Sequence, residues 1–302
     1  MSSLQRLLSE GRKVVTCELG PPQGADGSPL VGKANSVRGW VDACNLTDCT
    51  TAMVRLSSLA SSLIVMNAGV EPIMQLTLRD RNRIALQSDL LGASALGIHN
   101  ILCLYGDPPS AGNEKEARAV YDLTTVQFIS CLRKMRDEGA LWGGGKLTHP
   151  PNFFIGAAAA AKQEESRSRI DAVRAKAEAG AQFFQTQPVF DTDLFASFIE
   201  DMRSSGLIEK CAFIAGVMPL RSYRMARNTV EHVPGISIPE EVLQRMETSS
   251  DQELEGKRIA SEIIRKLQHM DGVAGVHVMT VAWESAIPSV LEMSGLSARS
   301  LP

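Results

Sequence analysis

This chain is short of the features that most quickly assign a protein. Its charges nearly cancel, with a net charge of −3 over 302 residues and a pI near 6.0. That excludes a general attraction to nucleic acid or to an anionic membrane. Long hydrophobic runs are missing too: the stretch of lowest polarity, Phe153–Ala161, is about half the ~20 residues a membrane-crossing helix needs. The first residues, from Met1 to Arg12, lack the apolar segment and small-residue cleavage site of a secretory signal. A soluble, cytoplasmic chain is expected.

The six cysteines, Cys17, Cys44, Cys49, Cys103, Cys131 and Cys211, include no C-x-x-C pair. The close pair Cys44 and Cys49 has no His at zinc-ligand spacing, so neither a metal site nor a disulfide framework is expected. Most of these thiols lie in or beside apolar runs and read as reduced core residues. No glycine-rich turn follows the first strand, which argues against a dinucleotide-binding doubly wound sheet. Gly143-Gly144-Gly145 follows a helical stretch and an exposed Trp142, and reads as a flexible loop. His99, His149, His232, His269 and His277 form no cluster and are read as surface or packing residues.

What the sequence does have is alternation. Apolar strand-like runs are expected near Lys13–Glu18, Val41–Leu46, Pro72–Leu78, Asn100–Tyr105, Asn152–Ala157, Gln182–Gln187, Ala212–Val217 and Gly275–Thr280. Between them, helical patterns span Thr51–Asn67, Arg81–Leu96, Leu123–Glu138, Gln163–Ala179, Asp191–Ser204 and Asp251–Met270. In the second of these, Ile84, Ser88, Leu91 and Ala95 share one stripe, expected to pack on the sheet. Gly97, Gly139 and Gly180 follow helical stretches, where a left-handed residue ends a helix. Alternating units joined by right-handed crossovers predict one α/β domain over residues 1–302, a (β/α)₈ TIM barrel.

Polar groups wait at the ends of these strands. Glu18 follows Val14-Val15-Thr16-Cys17 and precedes a Gly-Pro-Pro exit. In a partly desolvated mouth such a carboxyl keeps its proton toward neutral pH and serves as an acid, while a loop-capping or salt-bridged Glu is the other reading. Gly106 permits close approach by a flat ligand, and Asp107 either accepts hydrogen bonds from an amino-heterocycle or closes a tight turn. Gln187 offers both donor and acceptor to an amide-like edge. Asp80 is placed to cap the helix that follows, with Arg79, Arg81 and Arg83 available to a phosphate. Lys176, late in a helix, reads by itself as a solvated residue.

The ordered set Glu18-Leu-Gly-Pro-Pro22, Gly106-Asp-Pro108, Gly180-Ala-Gln-Phe-Phe-Gln-Thr-Gln187, Phe190-Asp191 and Gly216-Val-Met-Pro219 resembles the methylenetetrahydrofolate reductases, from about Val14 to Leu296. The resemblance implies a flavin-bearing barrel that reduces 5,10-methylenetetrahydrofolate to 5-methyltetrahydrofolate in one-carbon metabolism. The cofactor would be FAD, with FMN the alternative, and NADH or NADPH the electron donor. By the same resemblance Glu18 is the general acid, Asp107 the carboxylate that holds the pterin near the flavin, and Gln187 a folate and nicotinamide contact. Thr47, Gln75, Gly106, Asp107 and Lys176 fall at cofactor-contacting positions, with Lys176 reaching the flavin phosphates.

The chain departs from the familiar pattern at Gln75, Tyr105, Met225, Trp283 and the Ala-rich run Ile155–Ala161. The stretch from Arg79 to Asp89 resembles the short reductases of acetogenic metabolism, which implies either a homo-oligomer or an electron-donating partner subunit. Two other readings stay open: a folate-binding or electron-relay subunit, and a metal-dependent lyase or hydrolase with Glu18, Asp48 and Asp107 as oxygen ligands.

Overall fold

Alternate side chains of each apolar run have two places to go, a ring of helices outside and a packed interior within, and this is what bends the sheet closed. In the computed structural model the strands are β1 (Val14–Leu19), β2 (Ala43–Leu46), β3 (Pro72–Thr77), β4 (Asn100–Leu104), β5 (Phe154–Ala159), β6 (Phe183–Pro188), β7 (Ala212–Val217) and β8 (Val273–Val278). They pair in chain order, all parallel, and β8 returns to β1 with Thr16 opposite His277. The fold is a single closed (β/α)₈ barrel. The structure describes residues 1–161, 166–233 and 235–299. No helix among them is long and apolar enough to cross a membrane.

The helices are α1 (Ser3–Ser9), α2 (Ser28–Val37), α3 (Ser58–Asn67), α4 (Arg83–Ala95), α5 (Thr125–Asp137), α6 (Ser166–Ala179), α7 (Thr192–Ser204), α8 (Tyr223–His232), α9 (Glu240–Thr248), α10 (Gln252–Gln268) and α11 (Ile287–Met293). Outward residues such as Val15, Cys17, Ile101, Cys103, Ile155 and Ala157 pack beneath the helices. A second cluster, Val14, Ala43, Ile73, Leu102, Phe154, Phe183 and Ile214, fills the floor of the barrel, and Leu4 and Leu7 of α1 plug it from below. The carboxylate of Glu71 fixes that plug by accepting the Ser3 and Leu4 amides at 2.8 and 2.9 Å, two donors that a helix start leaves without partners.

Several expectations are corrected. The helix expected from Thr51 begins at Ser58, because Thr51 and Ala52 have φ of +53° and +55° in a short 3₁₀ turn. On α4 the buried face is Leu86, Leu90 and Ala93, whereas Ile84, Ser88, Leu91 and Ala95 are exposed. Both stripes have helical spacing, and the sheet takes the one with two leucines. β8 starts two residues earlier than expected and β5 two later. Positions 163–165 of the expected Gln163–Ala179 helix lie outside the described residues. Trp142 is half-buried, its amide donating to Gln87 Oε1 at 2.7 Å. Gly97, Gly139 and Gly180 do end their helices, at φ +84°, +60° and +127°. Of the six thiols, five are buried and all are free.

Candidate active site

Strand period puts Thr16 and Glu18, Asn45 and Thr47, and Gln75 and Thr77 on the same inward faces, one above the other. Above the apolar floor Thr16 and Asn45 join Gln185 and His277 in a buried polar layer. Asn45 Nδ2 donates to Gln185 Oε1 at 2.6 Å, and Gln185 Nε2 donates back to Asn45 Oδ1 at 3.1 Å and to Thr16 Oγ1 at 3.2 Å. Burial drives the His277 pKa down to about 3, so the ring is neutral. Thr16 Oγ1, which accepts from Gln185, also shares a hydrogen bond with His277 Nδ1 at 2.9 Å. Every member is satisfied, which makes this layer a rigid support for what lies above it.

Glu18 stands above this layer, half-buried at the C-terminal end of β1. Desolvation raises its pKa, repulsion from Glu284 adds to the rise, and a hydrogen bond from Gln75 Nε2 at 3.3 Å opposes it. Thr47 is buried at the end of β2, and Gln187 is half-buried at the end of β6. After β4, Gly106 takes φ +90°, and a Cβ there would lie 3.1 Å from Thr77 Cβ and 3.2 Å from Arg79 Cβ. Side-chain bulk is absent from the upper part of β5, which reads Gly156, Ala157, Ala158 and Ala159. Glu18, Thr47, Gln75, Gly106, Asp107 and Gln187 thus share one barrel edge, the edge that carries chemistry in this fold.

Not every expected residue joins the site in the expected way. Asp107 is exposed, and one of its oxygens accepts the Thr51 amide at 3.1 Å, tying two rim loops together. Lys176 stands apart: from α6 its ammonium donates at 2.7 Å to the Ala158 carbonyl, beyond the last β4–β5 pair, Cys103 with Ala157. Desolvation lowers its pKa. It is half-buried, and the carbonyl it meets lies toward the upper end of β5.

The arginines after β3 are held by carboxylates rather than waiting for a phosphate. Arg79 pairs with Asp80 at 2.7 Å, Arg81 with Asp48 at 2.7 Å and Asp89 at 2.9 Å, and Arg83 with Asp122 at 2.8 Å. The Arg83 hydrogen bonds pull the Asp122 pKa down to about 2. With Asp80 taken, Asn82 caps α4 by accepting the Ile84 and Ala85 amides. Asp48 also accepts from Thr77 N and Oγ1, at 2.8 and 2.9 Å, so its oxygens are committed to the fold and not to a metal. Among the described residues no three His, Cys, Asp or Glu side chains gather as a metal site.

Two rim residues went unread in the sequence. Glu284, 8% exposed, stands six residues beyond the end of β8 in a short 3₁₀ turn, too far from the strand for a strand-end pattern to mark it. Lys33 of α2 meets it at 2.6 Å. Further round the rim, a cleft of about 520 Å³ runs between α8 and the exit of β8, lined by Ser222, Arg224, Met225, Asn228, Val233 and Val281.

A family model described as methylenetetrahydrofolate reductase matches residues 3–295. A probable methylenetetrahydrofolate reductase (NADPH) of Caenorhabditis elegans is 25% identical over 317 residues, covering 97% of this chain and 44% of the relative. A probable methylenetetrahydrofolate reductase (NADH) of Oryza sativa subsp. japonica is 25% identical over 318 residues, covering 100% of this chain and 52% of the relative. The chain therefore spans about half the length of the curated relatives it matches. Among solved structures, an uncharacterized protein from Clostridium thermocellum that binds two copies of 5-methyl-5,6,7,8-tetrahydrofolic acid aligns with TM-score 0.69 at 12% identity, over 97% of this chain and 99% of that one. At that identity the likeness is one of fold.

Proposed function

The chain belongs to the methylenetetrahydrofolate reductase family, and from that premise we propose that it reduces 5,10-methylenetetrahydrofolate to 5-methyltetrahydrofolate with the help of a bound flavin. The observation that carries this reading is the placement of Glu18, a carboxyl at the barrel mouth beside the Gln75 amide, whose pKa desolvation raises. Opening the imidazolidine ring of the substrate to a reactive iminium requires that proton on the departing nitrogen. An ionised carboxylate in the same place would not supply it.

The residues present fit a flat ring system. The small side chains of upper β5 keep bulk off that part of the rim, and Thr47, Gln75 and Gly106 would line a flavin, FAD or FMN. Lys176 is committed to Ala158 and is not assigned a part in holding phosphates. When bound, the reduced flavin supplies hydride and is reloaded by NADH or NADPH. The chain's own side chains do the rest. Asp107 accepts from the amino edge of the pterin, Gln187 offers donor and acceptor to substrate and nicotinamide in turn, and Glu18 delivers the proton. The cleft beside Arg224 and Asn228 suits the benzoyl-glutamate end of a folate, with a cation for its carboxylates and Met225 and Val281 for its ring.

Absorption spectroscopy under anaerobic conditions tests this reading. Purified protein is expected to carry a flavin spectrum that NADH or NADPH bleaches and methylenetetrahydrofolate restores. Bleaching by dithionite alone would place the electron donor on a partner subunit. A reduced flavin that methylenetetrahydrofolate leaves reduced would overturn the proposal.

A further inference from the structure

Helix α4 buries Leu86, Leu90 and Ala93 against the barrel, and on its opposite side Ile84, Ser88, Leu91 and Ala95 form an exposed stripe. Ile84 is 75% and Leu91 36% exposed. Steps of four, three and four residues separate the members of the stripe, the spacing by which one helix presents a straight seam to another. No charge interrupts it. Asp89, off the stripe, is taken by Arg81, and Arg83 by Asp122. The apolar face continues onto α3, which has no charged residue from Ser58 to Asn67. Leu59 and Leu63 are half-buried there, and Leu59 Cδ2 lies 3.9 Å from where a Cβ on Gly92 of α4 would stand. The other long helices of the ring, α5, α6, α7 and α10, all carry both acids and bases. An uncharged apolar patch of this kind marks a surface that another molecule covers.

The order of sizes along the stripe identifies that molecule. Large and small residues alternate from Ile84 through Ser88 and Leu91 to Ala95. Turned end for end about a two-fold axis at the middle of the stripe, two copies of α4 set Ile84 of each against Ala95 of the other, and Leu91 of each against Ser88 of the other. Every large side chain then enters the gap above a small one, and the contact closes on itself. Charges agree with this register, because it holds the two Arg83 side chains apart by a helix length, about 20 Å.

We propose that α4 docks antiparallel on α4 of a second copy of this chain, forming the centre of a two-fold dimer that α3 flanks. With 13 residues, α4 is about 20 Å long, and two helices side by side are about 20 Å wide. A patch of that size stands at the low end of specific interfaces, so the dimer dissociates on dilution through the micromolar range. The antiparallel register points the two barrel mouths in opposite directions and leaves both open. Assembly therefore does not depend on the reading of the active site.

Sedimentation velocity of the full chain, from about 1 to about 100 µM, tests this, and the sedimentation coefficient is expected to climb from monomer to dimer across that range. Ile84→Lys and Leu91→Lys change side chains that are exposed in the single chain, so the fold should survive, with the dissociation constant raised about 10-fold or more. Val230→Lys, at a 38% exposed position on α8, should leave it unchanged. Cross-linking checks the register. A chain carrying Ile84→Cys, mixed with one carrying Ala95→Cys and oxidised with copper phenanthroline, is expected to give a disulfide-linked pair. Either chain alone should give none, because the same position on the two copies lies about 16 Å apart along the seam; the parent chain controls for Cys49, the one thiol that is not buried. A chain that stays monomeric at about 100 µM overturns the proposal and leaves the face to a different protein. A dimer that neither lysine variant weakens is built on another surface, and equally overturns it. Self-linking of the Ile84→Cys chain would overturn the antiparallel register.

Discussion

Replacing Gln185 by Leu should destabilise the barrel far more than the lost side chain's own hydrogen bonds suggest. Gln185 and Asn45 exchange two hydrogen bonds in a layer where Asn45 is 0% and Gln185 4% exposed. Leucine matches Gln185 roughly in volume but leaves Asn45 with a buried donor and a buried acceptor that water cannot reach. Each such orphan costs about 1–3 kcal/mol, so the single substitution should cost about 4 kcal/mol. Thr16 and His277 keep their mutual bond, and so the damage stays local. Asn45→Val strands the Gln185 carbonyl oxygen, while its amide nitrogen keeps Thr16. The double variant Asn45→Val/Gln185→Leu removes both halves of the pair together, and its cost should fall below the sum of the singles by about 2 kcal/mol or more. Urea unfolding followed by far-UV circular dichroism and by tryptophan fluorescence gives all the corners of the cycle. Costs that add to within about 0.5 kcal/mol would refute the claim that these two amides act as one unit.

The remaining predictions concern the rim. Glu18 has a folded-state pKa above its unfolded value, so the stability it contributes is fully present below the unfolded pKa and is lost as pH rises through the folded one; Glu18→Gln should therefore be relatively more stable than wild type at pH 8 than at pH 5, by thermal unfolding. Gly106→Ala should cost about 1–2 kcal/mol, because φ is +90° and the added Cβ presses on Thr77 and Arg79; a denaturation midpoint equal to wild type would contradict this. Lys176→Met should leave flavin content unchanged, since the ammonium serves Ala158; loss of flavin on purification would return the residue to the cofactor site.

Much of the barrel was legible because strands are short, apolar and punctuated. Every expected strand exists, with ends shifted by at most two residues and β7 unshifted, since the strand period marks a run better than its limits. Helices were harder to read. α8 and α9 are strongly amphipathic but short, and they follow β7 without the usual single-helix crossover, so no alternation pointed to them. The α4 stripe misled because helical spacing alone does not say which of two stripes meets the sheet. At the rim, Glu18 was found from its strand-end position and Gln75 from the family resemblance, and the structure adds the hydrogen bond between them. Apart from Arg79 with its neighbour Asp80, the partners of Asp107, Lys176 and the arginines after β3 are 8 to 56 residues away in sequence, as Arg81 with Asp89 and Asp107 with Thr51 illustrate. Their commitments therefore appear only once the chain has folded. The polar layer of Thr16, Asn45, Gln185 and His277 carried a readable signal, a polar residue two positions before each rim residue on β1, β2 and β6.

The central claim is that Glu18 gives a proton to folate and has no part in reloading the flavin. Rapid mixing of the holoenzyme separates the two half-reactions, with flavin bleaching by nicotinamide in one syringe experiment and its return on adding methylenetetrahydrofolate in the other. For Glu18→Gln the first should run near the wild-type rate while the second slows by about 10²-fold or more, the range expected for removing a general acid. Equal slowing of both, or an unchanged second step, would contradict the account.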